Sequence, residues 1–219
     1  MKRNVSLAEI SDGRLYHEND MVKADCHGCK GCFSCCTGMG ASVILDPYDV
    51  YRLQAGIGKG LPRLLEEGAV ELNVVDGIIL PNLTMAGQGE RCAFLDGEGR
   101  CSIHKSRPGI CRLFPLGRFY ENGDFRYFLQ TSECRDSGRS KVKVSKWIDT
   151  PEQGRYHRFI CDWHYFLNRQ EEKVAGAEDS EEAKKLNLAL LRIFFMEPYD
   201  TDEDFYGQFE ERMESVRNL

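Results

Sequence analysis

The chain has 219 residues, 42% of them hydrophobic, and a formal net charge of −6. That length is enough for one large domain, or a domain with a helical extension, that buries about 70% of its unfolded surface without staples. The acidic balance argues against nucleic acid and anionic membranes as main partners, because both need a basic face.

Residues 1–25 read as a loosely structured lead-in. Met1-Lys2-Arg3 is basic, but no apolar run follows it, so no secretory signal is read. No stretch approaches the ~20 apolar residues of a membrane span. The expectation is a cytoplasmic chain, in which thiols are kept reduced. The ten cysteines are then ligands or catalysts rather than the disulfides of a secreted protein.

Residues 26–40 form a Cys/Gly loop. Asp46 caps a predicted helix with Pro47 at its first position, and Gly56 and Gly58 stop it. A short helix over 61–67 follows. Residues 69–83 alternate as a hairpin around Asp76-Gly77. A second short hairpin is predicted over 92–104, with Asp96-Gly97-Glu98-Gly99 at its tip and Cys92 and Cys101 on its arms. Arg107-Pro108 begins a helical turn carrying Cys111. A third hairpin spans 117–130 around Asn122-Gly123, and Val142 and Val144 suggest an extended edge.

From Thr150 the pattern becomes helical. Thr150-Pro151-Glu152-Gln153 reads as a capping box. Tyr156, Phe159, Ile160, Trp163, Phe166 and Leu167 recur at helical spacing. Residues 171–182 are acidic and predict a solvated loop. Leu186, Leu190, Leu191, Phe194 and Phe195 mark a second helix. Thr201 to Asp204 caps a third, with Phe205, Phe209 and Met213. These aromatic stripes read as core rather than as a cofactor box.

The chemistry concentrates in the run CHGCKGCFSCC, where Cys26, Cys29, Cys32, Cys35 and Cys36 fall within eleven residues. Two-residue gaps let successive thiolates curl around one centre. Cys26, Cys29, Cys32 and Cys36 fit the C-x2-C-x2-C-x3-C run of bacterial ferredoxins, with Thr37 in place of the following proline. Cys35 is the extra member: a substitute for Cys36, a ligand to a second centre, or a reactive thiol. Cys92, Cys101, Cys111, Cys134 and Cys161 are dispersed. Soft thiolates narrow the metal to zinc, Cu(I) or iron–sulfur. One dense half and one dispersed half suit a cluster better than the two close pairs of a zinc ribbon. Among the flanking arginines Arg91, Arg107, Arg112 and Arg135, the pair around Cys111 are the best candidates to offset cluster charge. His27 and His104 lie beside cysteines, as ligands, proton shuttles or structural residues. His157 and His164 flank Cys161, and the Cys161–His164 spacing allows metal binding from one helix face. No radical-SAM triplet, P-loop, dinucleotide fingerprint or H-E-x-x-H is present.

The run Cys29-x2-Cys32-x2-Cys35-Cys36, followed by Cys92, Gly99-Arg100-Cys101 and Arg107-Pro108-Gly109-Ile110-Cys111-Arg112-Leu113-Phe114-Pro115, resembles the YkgJ-like cysteine-cluster family of zinc- or iron-chelating domains over about residues 26–145. The resemblance implies that Cys29, Cys32, Cys35, Cys36, Cys92, Cys101 and Cys111 bind metal, together with Cys134. Cys134 stands where many members carry a cysteine in a Cys-Pro-Gly turn. Cys26 and Cys161 are additions to that pattern. Flagellin lysine-N-methylases carry a similar domain, thought to hold an iron–sulfur cluster.

The reading is therefore an α+β protein: a cysteine-rich core of loops and short hairpins over 26–149, with helices over 150–219 packed on it. The expected cofactor is an iron–sulfur cluster, 4Fe-4S favoured, serving redox or group-transfer chemistry on a protein or small-molecule partner. The alternatives are a structural zinc module, a protein lysine methylase, and a thiol switch at Cys35 or Cys36.

Overall fold

The computed structural model describes residues 6–26, 32–134, 138–177 and 179–217. Four antiparallel strand pairs carry the amino-terminal two-thirds, and helices close the fold. The α+β class is as expected.

The lead-in is more ordered than its sequence suggests. After a short helix, α1 (Leu7–Ile10), strand β1 (Met21–Asp25) pairs with β8 (Ser140–Lys143). Val22 and Ala24 alternate inward and are fully buried. The chain's two halves are tied here through a pairing of high sequence separation, which local patterning does not reveal.

Helix α2 (Pro47–Ile57) starts as predicted. Asp46 Oδ1 accepts the Asp49 amide at 2.8 Å, and Asp49 Oδ2 accepts the Asp46 amide at 3.2 Å, completing a capping box. Gly58 ends the helix in the left-handed region, while Gly56 lies inside it. Helix α3 (Leu61–Glu66) leads into the hairpin β2 (Val70–Val75) and β3 (Ile78–Leu83).

The second predicted hairpin is reduced to a single bridge, Leu95 to Cys101. The strand β5 (Arg91–Cys92) pairs instead with β4 (Met85–Ala86). Cys92 thereby sits at the end of β5 and Cys101 at the isolated bridge, rather than on two arms of one ladder. Helix α4 (Gly109–Leu113) precedes the hairpin β6 (Leu116–Glu121) and β7 (Asp124–Leu129), which turns at Asn122-Gly123 as expected. Val144 opens helix α5 (Val144–Ile148) rather than extending the edge.

Helix α6 (Gln153–Ala175) has no side-chain cap at its start. The Thr150 hydroxyl, predicted to cap it, instead accepts from Arg112 Nη1 at 2.9 Å. The acidic segment is largely helical too: α6 runs to Ala175 and α7 (Ser180–Leu191) begins five residues later. A π turn (Arg192–Met196) and α8 (Phe205–Ser215), capped by Asp204, complete the chain.

The core is one continuous cluster running from Tyr16 to Val216. Its centre is aromatic. Tyr48 of α2 meets Phe205 at 4.9 Å between centroids and Tyr156 at 5.4 Å, and Phe159 meets Phe209 edge-on at 4.7 Å. Each such pair adds about 0.5–1.5 kcal/mol to its area burial. The helices thus anchor α2, and α2 in turn positions the metal-binding half.

Candidate metal centre

Among the described residues, six cysteines line one cavity of about 100 Å³: Cys32, Cys35, Cys36, Cys92, Cys101 and Cys111. Several separate local devices bring them there. Cys35 and Cys36 lie in a tight 3-10 turn, Cys92 ends β5, Cys101 forms the bridge with Leu95, and Cys111 is in the middle of α4. The rest of the wall is mainly apolar, including Met39, Leu83, Phe94 and Ile103. No disulfide joins any described cysteine. Gly99 permits one side of this wall. Its φ is +74°, and an added Cβ would lie 2.8 Å from the Phe33 ring that covers the cavity.

The thiols interact electrically. A hydrogen bond from the Cys36 thiol holds Cys35 down at about 7, and the same bond, with burial, drives Cys36 up. Burial raises Cys92, Cys101 and Cys111, and neighbouring thiols and Asp49 push Cys111 further. Apart from Cys35, these thiols favour the protonated form in the absence of a cation and give up their protons to one, since the ligand form is the thiolate. Arg107 lines the cavity and favours the thiolates of Cys35 and Cys101. Its Nη1 lies 3.2 Å from His104 Nε2, and burial and the arginine both disfavour protonation of that imidazole.

A buried polar network fixes Cys111. Asp49, 1% exposed, accepts the Gly109 amide on Oδ1 at 2.7 Å, at the start of α4. Gly109 is required by close approach, because a Cβ there would stand 2.5 Å from the Tyr156 hydroxyl. That hydroxyl accepts from Arg118 Nη2 at 3.2 Å, and Arg112, 3% exposed, is held by Thr150 and faces Asp49. Two carboxyls and two guanidinium groups thus meet where α2, α4 and β6 cross α6.

Burial, reinforced by the Asp49 charge, pushes the Asp46 carboxyl up to about 8. An unfolded aspartate titrates near 3.9. Between those values the folded chain holds a proton that the unfolded chain has lost, so stability falls as pH rises from about 4 to about 8. The slope from this group is at most about 1.4 kcal/mol per pH unit. Urea unfolding at pH 5 and pH 8 should show a smaller pH difference in Asp46→Asn than in the parent. An identical difference in both would remove Asp46 from the account.

The placement of the sequence candidates is uneven. Cys29, His27 and Arg135 lie outside the described residues. Cys26, Cys134 and Cys161 are not part of the cavity wall. Arg112, expected to offset cluster charge, turns into the buried network, and Arg91 instead lies over the Phe33 ring and donates to the Asp96 carbonyl. His164 stacks on Tyr120 at 3.5 Å, and Cys161 has His157 beside it instead. Asp49 is not singled out by the sequence, and Tyr156 reads there only as core. The Asp46-x-x-Asp49 spacing was the available signal for the first of them.

Six cysteines converging on one cavity define a metal-binding class of protein. The model of the CxxCxxCC family, described as a "putative zinc- or iron-chelating domain", matches residues 28–135, and this part of the chain belongs to that family. No curated protein and no solved structure matches the chain. No helix among the described residues is long and apolar enough to cross a membrane.

Proposed function

We propose that the cavity holds an iron–sulfur cluster and that the protein is a one-electron carrier. The observation that carries the reading is the number of thiols on one apolar wall. One tetrahedral zinc uses four ligands, whereas six described cysteines line this cavity. Its volume of about 100 Å³ also exceeds the ~30 Å³ share of a single water, which gives room for a multi-atom group rather than one ion. The cavity reaches the surface beside the exposed Cys32, Phe33 and Ile110, so an electron has a short path to a partner. When bound, the cluster supplies reversible one-electron chemistry. The chain's own residues exclude water through the apolar wall, and Arg107 offsets anionic charge.

The specific second reading is a zinc module, favoured by the same thiols if two ions share bridging cysteines. Nothing in the fold or the comparisons supports the methylase reading. Dithionite reduction of anaerobically prepared protein tests the proposal. The expected result is partial bleaching of the visible absorbance together with a low-temperature EPR signal that air abolishes. A colourless protein without that signal, holding zinc, would overturn it.

A further inference from the structure

The tip of the β6–β7 hairpin is clasped by α6. Asn122 and Gly123 turn with φ of 54° and 80°, which sets Asp124 against the helix. His157, Cys161 and Tyr165 follow one another at four-residue spacing and so share one helix face. The Tyr165 hydroxyl accepts the Gly123 amide at 3.0 Å and donates to the Asp124 carbonyl at 3.4 Å. The His157 ring lies on Phe125, with centroids 4.2 Å apart and planes within 17°. That stacking aims Nε2 at Asp124 Oδ1, 2.6 Å away, and Cys161 Sγ lies 3.8 Å from the same oxygen.

We propose that Asp124, His157 and Cys161 form a second metal site, distinct from the cysteine cavity, that takes a zinc-class divalent cation and leaves its fourth position to solvent. One sulfur, one imidazole nitrogen and one carboxylate oxygen are the donors zinc accepts. The three ligand atoms already lie within 4.8 Å of one another. A tetrahedral ion at about 2.0–2.3 Å from each donor would set them roughly 3.3–3.8 Å apart. Reaching that arrangement needs shifts of about 1 Å, and the Asp124 side chain, 68% exposed, has the freedom to make them. Cys161 is buried behind the site while His157 and Asp124 reach solvent, which leaves an open side for water or an anionic ligand.

A thiol nucleophile is the other use of these three residues, and the geometry disfavours it. A catalytic triad places the imidazole between acid and nucleophile. Here a single carboxylate oxygen touches both the imidazole and the thiol, so the groups converge on a point instead of forming a relay. Burial and the Asp124 charge also push the Cys161 thiol up to about 11, away from the reactive thiolate. A cation at that point reverses both effects. The Cys161 proton leaves to solvent, the imidazole coordinates through Nε2, and the carboxylate that opposed the thiolate becomes its fellow ligand.

The test uses the whole chain with its cysteine centre loaded. Zn²⁺ is titrated against a chromophoric chelator, Co²⁺ serves as the spectroscopic probe, and Mg²⁺ is the control. The parent should bind one zinc equivalent more than Cys161→Ser, and Co²⁺ should give a thiolate charge-transfer band that this variant lacks. His157→Ala and the shape-preserving Asp124→Asn should weaken zinc at least about tenfold, given that even indirect partners of metal ligands cost that much. Melting temperatures without zinc check that the variants fold. The parent–variant difference counts this site alone, whatever metal fills the cysteine cavity. Equal zinc binding by the parent and Cys161→Ser, or equal retention of Mg²⁺ and Zn²⁺, would overturn the assignment.

Discussion

Replacing Cys111 by serine is expected to strip the metal from the protein and lower its melting temperature by roughly 6–12 °C. Cys111 is the ligand candidate held most firmly, in the middle of α4, whose first amide is fixed by Asp49 at 2.7 Å. A serine oxygen is a hard, poorly ionised donor for a soft thiolate-binding centre. The neighbouring thiols cannot move in to replace it, because each is placed by its own turn or strand end. Metal bound only by the folded state adds to its stability. A loss of about 3 kcal/mol corresponds to that drop for a chain of this length. Cys161→Ser, which removes a thiol outside the cavity, should leave the centre's content unchanged. Parental metal content and melting temperature in Cys111→Ser would show that α4 does not contribute a ligand.

Asp49→Ala should cost about 3–5 kcal/mol, because it removes the buried acceptor of the Gly109 amide and leaves the facing, buried Arg112 guanidinium without its nearest compensation. The carboxylate is 1% exposed and the facing Arg112 is 3% exposed. Among the described residues the Arg112 guanidinium has one hydrogen bond, to Thr150, while its Nε and Nη2 are buried without one. Its guanidinium therefore depends on the nearby carboxylates. Burial raises Asp49 even as Arg112 pulls it down, so the pair is costly to desolvate and costlier to break. The same substitution removes half of the α2 capping box and the acceptor of the Gly109 amide. The double variant Asp49→Ala/Arg112→Met should recover much of the loss, since an apolar replacement of both partners avoids the orphaned charge. Denaturant unfolding of the single and double variants measures this. Additive losses would show that the two residues are not coupled.

Local signals were legible wherever one short segment decides the outcome. Asp46-Pro47, Asp76-Gly77, Asn122-Gly123 and Asp204 each set a cap or turn through their own backbone preferences, and each appears where expected. The misreadings arose where distant partners compete. Thr150 has the composition of a helix cap, yet Arg112, 38 residues away in sequence, takes its hydroxyl. Val22 and Ala24 are apolar in a polar lead-in, and their burial depends on distant elements: β1 pairs with β8 and packs against α5 and β7. The cysteine site was legible as a set, because soft ligands at close spacing have few other uses. Its membership was less so. Cys101 and Cys92 read as one hairpin but come from a bridge and from the end of β5, and Cys161 lies beside Asp124 and His157 instead. The four-residue spacing of His157 and Cys161 is visible along the chain, but nothing local shows that a hairpin tip brings Asp124 to them.

The central claim is that the cysteine cavity holds iron and sulfide. Iron, acid-labile sulfide and zinc per chain, measured together on protein purified without oxygen, test it most directly. The account predicts about four iron and four sulfide per chain, lost together in Cys111→Ser. One or two zinc ions per chain at the cavity, with no iron and no sulfide, would contradict it.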